Sequence, residues 1–205
     1  MREESKEERQ YKLAFFEDNV LRRQYEEAIY ILLQAVRSFT DQKEEELGRD
    51  VVSHTRQRMK SYDSIISKLE KKNCAITDQN VTAYVNDLAG IRVVCLFIDD
   101  IYMMRDFIRT IPGTRVIKEK DYVKKPRKTG YQSIHMIVQF ENAIKVEVQI
   151  RSMAMDFWSV LEYQLQYKKK KNIKSLKRDL YECASDIRSI EQRMMDLRES
   201  IERAK

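Results

Sequence analysis

The chain has 205 residues, 42% hydrophobic and 35% charged, with 39 Lys and Arg against 33 Asp and Glu and a formal net charge of +6. That is enough apolar material for a packed core and excludes the disordered class. No apolar run approaches the ~20 residues of a membrane span, and the charged start MREESKEERQ lacks the apolar stretch of a secretory leader. The positive charge favours anionic partners: nucleotides, nucleic acid or an anionic membrane surface. Cys74, Cys95 and Cys183 are odd in number and scattered. They read as reduced thiols of a cytoplasmic protein, and no Cys/His cluster has zinc spacing.

Residues 4 to 47 hold no glycine or proline, and Val20, Tyr25, Ile29, Leu32, Val36 and Phe39 recur every three to five positions. This predicts a long amphipathic helix with Gly48 as its C-cap. A second helix is expected from His54 to Lys72, with Met59, Tyr62, Ile65, Ile66 and Leu69 inward, and a third over 79–87. Then the period changes. IRVVCLFI (91–98) is short and β-branched, a buried strand. DDIYMMRDFIRTI (99–111) is a helix stopped by Pro112-Gly113, TRVIKEKDYV (114–123) is strand-like, and KKPRKTG (124–130) is a basic loop. YQSIHMIVQF and IKVEVQIR are two strands joined by ENA into a hairpin.

After Ser152 the pattern is helical again. Ile173, Leu176, Leu180, Cys183, Ile187, Ile190, Met194, Leu197 and Ile201 alternate spacings of three and four, an a/d seam over four heptads. Such a seam serves either packing against the first helix of the same chain or an oligomer interface. The element order predicts an α+β (α/β-like) fold, a mixed central sheet flanked by long N- and C-terminal helices. It divides the chain into a helical arm (1–49), a core (50–168) and a C-terminal helix (169–205).

Chemistry concentrates in the centre. On IKVEVQIR, Lys145, Glu147, Gln149 and Arg151 share one face, and on the partner strand Tyr131, Ser133 and His135 alternate likewise. Two neighbouring strands with such faces read as the floor of a site, against the plainer reading of a solvated sheet face. Asp87 precedes the strand IRVVCLFI and pairs with Glu147 as a candidate Mg²⁺-binding couple opposite polyphosphate. Arg58, Lys60, Lys68, Arg92, Lys124, Lys125, Arg127 and Lys128 surround this site. With four glycines in the chain no glycine-rich phosphate loop can form, so side chains must hold the phosphates.

The stretches DLAGIRVVC, KEKDYVKKPRKTGYQSIH, KVEVQIRSMAMDFW and EYQLQYK resemble, in order and spacing, the synthetase domain of the RelA/SpoT alarmone enzymes, over roughly residues 50–168. The resemblance implies a nucleotidyltransferase-like fold and a small alarmone synthetase, an ATP:GTP/GDP 3′-pyrophosphotransferase that makes pppGpp or ppGpp. It implies Asp87 and Glu147 as Mg²⁺ ligands, with Glu147 also the base for the acceptor 3′-hydroxyl. It further implies Arg58 and Arg92 around the adenine, and Lys60, Ser64 and Lys68 on the ATP side. Tyr131 would stack on guanine, Arg127, Lys128 and His135 would approach the acceptor phosphates with Gln149 nearby, and Asp156 would read the guanine edge. The family's helical arms build homotetramers, which the resemblance carries over as an expectation. Ser159, Glu162-Tyr163 and Ser152 depart from the family pattern, which has Ala, Glu-His and Thr there. No His-Asp pair is present for a hydrolase metal site. A second reading, an RNA-binding or regulatory module on a weakened synthetase scaffold, draws on KKKKNIKSLKR (168–178), with seven basic and no acidic residues.

Overall fold

Five strands are seen in a computed structural model that describes residues 5–6, 8–11, 20–167 and 174–204. Strands β1 (Val52–Met59), β2 (Ala89–Cys95), β3 (Thr114–Asp121), β4 (Ile134–Phe140) and β5 (Lys145–Ser152) form one sheet in the order β1-β2-β5-β4-β3. Only β2 and β5 run parallel; the other neighbours are antiparallel. Besides helical residues at 8–11, six helices accompany the sheet among the described residues: α1 (Val20–Leu47), α2 (Tyr62–Glu70), α3 (Asp78–Tyr84), α4 (Ile98–Ile108), α5 (Met153–Tyr167) and α6 (Lys174–Arg203).

One face of the sheet is apolar. Ile91, Val93 and Cys95 of β2, Val146, Val148 and Ile150 of β5, and Ile134, Met136 and Val138 of β4 meet Tyr25, Ile29, Leu32 and Val36 of α1 and Ile101, Met104 and Ile108 of α4. Each fully buried side chain of this kind contributes about 1.5–3 kcal/mol of transfer free energy. By the period of two, the residues between them fall on the opposite face: Arg92, His135, Glu147 and Gln149, all half-buried. The mixed sheet with flanking helices agrees with the expected fold class.

Several boundaries differ from expectation. The helix expected from His54 to Lys72 is two elements: residues 52–59 form edge strand β1, and helix α2 starts only at Tyr62. Ser61 between them is extended, with φ −65° and ψ 148°. The apolar period belongs to α2, which buries Tyr62, Ile65, Ile66 and Leu69. Upstream, Thr55, Arg56, Gln57 and Arg58 pair with Val93, Arg92, Ile91 and Gly90. An exposed edge strand needs neither alternation nor β-branched residues, so its backbone pairing left no trace in the pattern. Arg58 therefore lies on a strand and Lys60 in the joint, not on a helix.

The strand expected from Tyr131 begins at Ile134. Ser133 is fully buried, and its hydroxyl donates to the Ile150 carbonyl at 2.9 Å. Tyr131, Ser133 and His135 thus do not share a strand face. The Glu141–Ala143 turn joins β4 to β5 as expected, with the Phe140 amide donating to the Ile144 carbonyl at 2.8 Å. Gly48 ends α1 at φ +62°, its amide donating to the Glu44 carbonyl at 2.9 Å.

The C-terminal seam divides. Leu180 and Ala184 of α6 pack with Tyr131, Met155 and Trp158, joined by the partly buried Leu176 and Ile187. Trp158 Nε1 donates to the Leu180 carbonyl at 3.2 Å. Near its other end Arg198 donates to both oxygens of Asp99, at 3.0 and 2.6 Å. The seam therefore lies on the turn before β4 and on α5, not along α1. Ile190, Met194, Leu197 and Ile201 remain 52–62% exposed. Ile173 and the lysine run 168–171 lie outside the described residues.

Candidate active site

The open face of the sheet gathers charge from all five strands. At the β1 end, Arg56, Arg58, Arg92, Glu147 and Gln149 line a cavity of about 150 Å³. Arg58 and Arg92 stand on adjacent strands, and the register sets Arg58 opposite Gly90 and Arg56 opposite Arg92. Two guanidinium planes on one shallow cavity floor suit an aromatic base. Arg56, unassigned by the sequence reading, belongs to this group; the i, i+2 spacing of Arg56 and Arg58 signals it only once residues 52–59 are known to be a strand.

A second cavity of about 250 Å³ is lined by Lys68, Asp87, Lys118, Lys120, Tyr122, Arg127, His135 and Glu147, among others. Glu147 reaches both cavities. Asp87 accepts from Lys60 Nζ at 3.1 Å and Lys68 Nζ at 2.5 Å. Burial alone would raise its pKa, but the two ammonium groups outweigh that and hold it below the ordinary aspartate value. Tyr122 stands edge-on to His135, with ring centroids 5.3 Å apart, and the Arg127 guanidinium lies 4.5 Å from its ring. Lys120 and Arg127 outweigh desolvation and lower the Tyr122 pKa.

Glu147 joins side chains from three strands. Its Oε2 accepts from Arg58 Nη2 at 3.3 Å and from Gln149 Nε2 at 2.9 Å, while Oε1 lies 3.4 Å from His135 Nδ1. Burial would raise the Glu147 pKa; His135 first, then Gln149 and Arg58, bring it below the ordinary glutamate value. A carboxylate only accepts, so His135 Nδ1 carries a proton. In the neutral ring this leaves Nε2 to accept from the Tyr131 hydroxyl, 3.0 Å away.

Other expected residues stand further out. Asp156 is 6% exposed and paired with Arg92 at 3.1 Å and Arg151 at 3.5 Å, with His54 Nε2 at 3.8 Å. Ser64 opens α2 and exchanges a 2.8 Å hydrogen bond with Ser61; it lines neither cavity. Lys128 is exposed beside Gly130 and lines neither cavity. Tyr131 is only 8% exposed, packed beneath α6. Gly130 makes that packing possible: its φ is +87°, and a Cβ there would lie 2.4 Å from Ala184 Cβ. Among the described residues no group of three or more His, Cys, Asp or Glu is placed to hold a metal ion. The carboxylates that face one cavity are the pair Asp87 and Glu147.

Comparison with known proteins matches this arrangement. Residues 57–172 match the family described as the region found in RelA/SpoT proteins. The chain is 34% identical over 163 residues to GTP pyrophosphokinase YwaC of Bacillus subtilis, covering 76% of this chain and 78% of that protein. It is 26% identical over 190 residues to GTP pyrophosphokinase YjbM of the same organism, covering 89% and 87%. The crystal structure of small alarmone synthetase 2 from Bacillus subtilis superposes with a TM-score of 0.75 at 32% identity, over 89% of this chain and 98% of that one. Small alarmone synthetase 1 from Bacillus subtilis bound to its product pppGpp superposes at 0.73 with 26% identity, over 86% and 94%. Matched over residues 57–172, more than half of its length, and over most of the length of two small synthetases, the chain belongs to the RelA/SpoT family.

Proposed function

We propose that this protein transfers the β,γ-pyrophosphate of ATP to the 3′-hydroxyl of GDP or GTP, forming ppGpp or pppGpp and AMP. The observation that carries the reading is Glu147, a carboxylate shared by an arginine-floored cavity and a lysine-rich one. ATP lies with its adenine on Arg58 and Arg92 and its phosphates toward Lys60 and Lys68, with Ser64 at the edge of that side. The acceptor phosphates meet Arg127, Lys128 and His135, and Gln149 lies at the junction. The guanine stacks on Tyr131, its edge read by Asp156; since α6 covers Tyr131, stacking requires α6 to shift. In the transfer the 3′-oxygen bonds to the β-phosphorus, the bond from that phosphorus to the α,β-bridging oxygen breaks, and AMP leaves. The acceptor proton goes to Glu147 Oε1, the oxygen that faces His135 Nδ1 and is not held by Arg58 or Gln149.

Asp87 and Glu147 fit Mg²⁺, which keeps much of its shell in water and phosphate oxygens and needs only one or two protein carboxylates. Bound there, the ion neutralises polyphosphate charge that side chains alone would have to offset. Three free cysteines suit a reducing compartment, and we place the reaction in the cytoplasm; among the described residues no helix is long and apolar enough to cross a membrane. We also assign the exposed half of the C-terminal seam to contact between copies of this chain, as a homotetramer.

Incubation with ATP, GTP and Mg²⁺ followed by nucleotide chromatography should show AMP and a guanosine pentaphosphate in equal amounts. Glu147→Gln should lower turnover by about 10²–10⁴-fold with an unchanged circular dichroism spectrum. A folded glutamine variant with wild-type AMP release would overturn the assignment of the base.

A further inference from the structure

Arg151 is a cation with no place in the proposed site. It ends the polar face of β5, yet it is only 2% exposed. Its guanidinium lies 5.6 Å from the centre of the Tyr131 ring. Nη2 donates to Gln149 Oε1 at 3.0 Å, and Nη1 donates to the Ser159 hydroxyl and lies 3.5 Å from Asp156. Ser159 in turn donates to the Asp156 carbonyl at 3.0 Å. A plain account makes this a buried ion pair that fastens the first turn of α5 to β5.

The donor and acceptor chemistry says more. Guanidinium has only donors and carboxylate only acceptors. Gln149 bridges one of each, accepting from Arg151 and donating to Glu147 Oε2 at 2.9 Å. The amide has then a single orientation that satisfies both neighbours. Turned over, it would set its NH₂ against a cation and its oxygen against an anion. A glutamine beside Glu147 without Arg151 would populate both orientations, and one of them repels the carboxylate.

We propose that Arg151, held by Ser159 and Asp156, is a positioning residue that fixes the Gln149 amide and through it the orientation of Glu147. The relay runs Ser159 to Arg151 to Gln149 to Glu147, so a hydroxyl on α5, where the family pattern has alanine, supports the carboxylate on β5. It works on the side of Oε2 and leaves Oε1 for the acceptor proton. The inference rests on the reading of Glu147 as the base.

A double-mutant cycle in the full-length protein tests it. Arg151→Lys keeps the charge but cannot span Gln149, Ser159 and Asp156 at once. It should lower kcat by about 10-fold, the scale of one hydrogen bond to a charged group, and leave the KM for ATP within about twofold. In a Gln149→Met background the same Arg151→Lys change should cost less than about twofold, because the residue it acts through is gone. Equal losses in the two backgrounds would make Arg151 a structural ion pair and overturn the proposal. Should the lysine variant fail to fold, Ser159→Ala, at a half-buried helix position, enters the same cycle with an expected loss of about threefold in the Gln149 background and none without it. Activity surviving in Glu147→Gln would remove the base reading itself, an outcome separate from an additive cycle.

Discussion

A depressed pKa makes Glu147 a weak base, which would count against it in chemistry limited by proton transfer. Phosphoryl-type transfer is different: positioning and electrostatics supply most of the barrier reduction, with little covalent work for the protein. Glu147 is built for the former, with hydrogen-bond partners on three strands. Since His135, Gln149 and Arg58 together hold it below the ordinary glutamate value of 4.5, the carboxylate form dominates through neutral pH. Activity should therefore be flat on the acid side until pH falls to the ordinary glutamate region or below, and His135→Ala should bring the acid limb upward. A limb that stays in place in this variant would mean that His135 does not tune Glu147. Tyr131 offers a second residue-scale test, since its ring is proposed for guanine and its hydroxyl meets His135. Tyr131→Ala should raise the acceptor KM by about 5- to 150-fold, the equivalent of about 1–3 kcal/mol of stacking. Tyr131→Phe should keep the acceptor KM near wild type, because the stacking face is retained. Equal rises in KM for ATP and acceptor in the alanine variant would show a core residue instead.

At the scale of elements, the sequence carried the apolar strands and long helices well, because β2 is an almost wholly buried apolar run, β5 buries one face in alternation, β4 is mostly buried and α1 buries a stripe every three or four residues. It failed at β1 for a physical reason: an edge strand with five of its eight residues exposed has no buried side to write a period of two into the chain. That failure hid Arg56 and put Arg58 on the wrong element. It also failed at Tyr131, whose local context of basic loop and glycine says nothing of α6, fifty residues on. Glu147, Asp87 and the cationic ring were legible because charge needs a counter-charge wherever the chain brings it. The role of Arg151 was not, since burial is a tertiary fact. The packing of α6 over Tyr131 has a functional consequence under the proposed reading. Acceptor binding must displace Leu180 and Ala184 from that ring, so part of its binding free energy is offset. Leu180→Ser should weaken this contact and lower the acceptor KM while leaving the ATP KM unchanged. A higher acceptor KM would show instead that α6 holds the site together.

For the whole molecule, the apolar surface is unevenly distributed. Ile190, Met194, Leu197 and Ile201 of α6 are each more than half exposed, and Met153, Phe157, Val160, Leu161, Tyr163 and Leu165 of α5 are 42–64% exposed. Single exposed apolar residues are ordinary in a soluble protein, but two runs at helical spacing are not. The N-terminal half of the seam is already spent on Tyr131 and Trp158, so the chain itself covers only part of the stripe. Closed symmetric association is the usual way to bury the rest, and this carries the proposed homotetramer. The seam's own division supplies the test, because its exposed half can be changed without touching the half that packs on α5. Ile190→Asp with Leu197→Asp should yield smaller species in light scattering, with the cooperative melting of the core retained. The same substitutions at Leu180 and Ala184 should unfold the Tyr131–Trp158 cluster instead. If the wild type scatters as a 24.6 kDa monomer at micromolar concentration, the tetramer is wrong and the stripe is open surface.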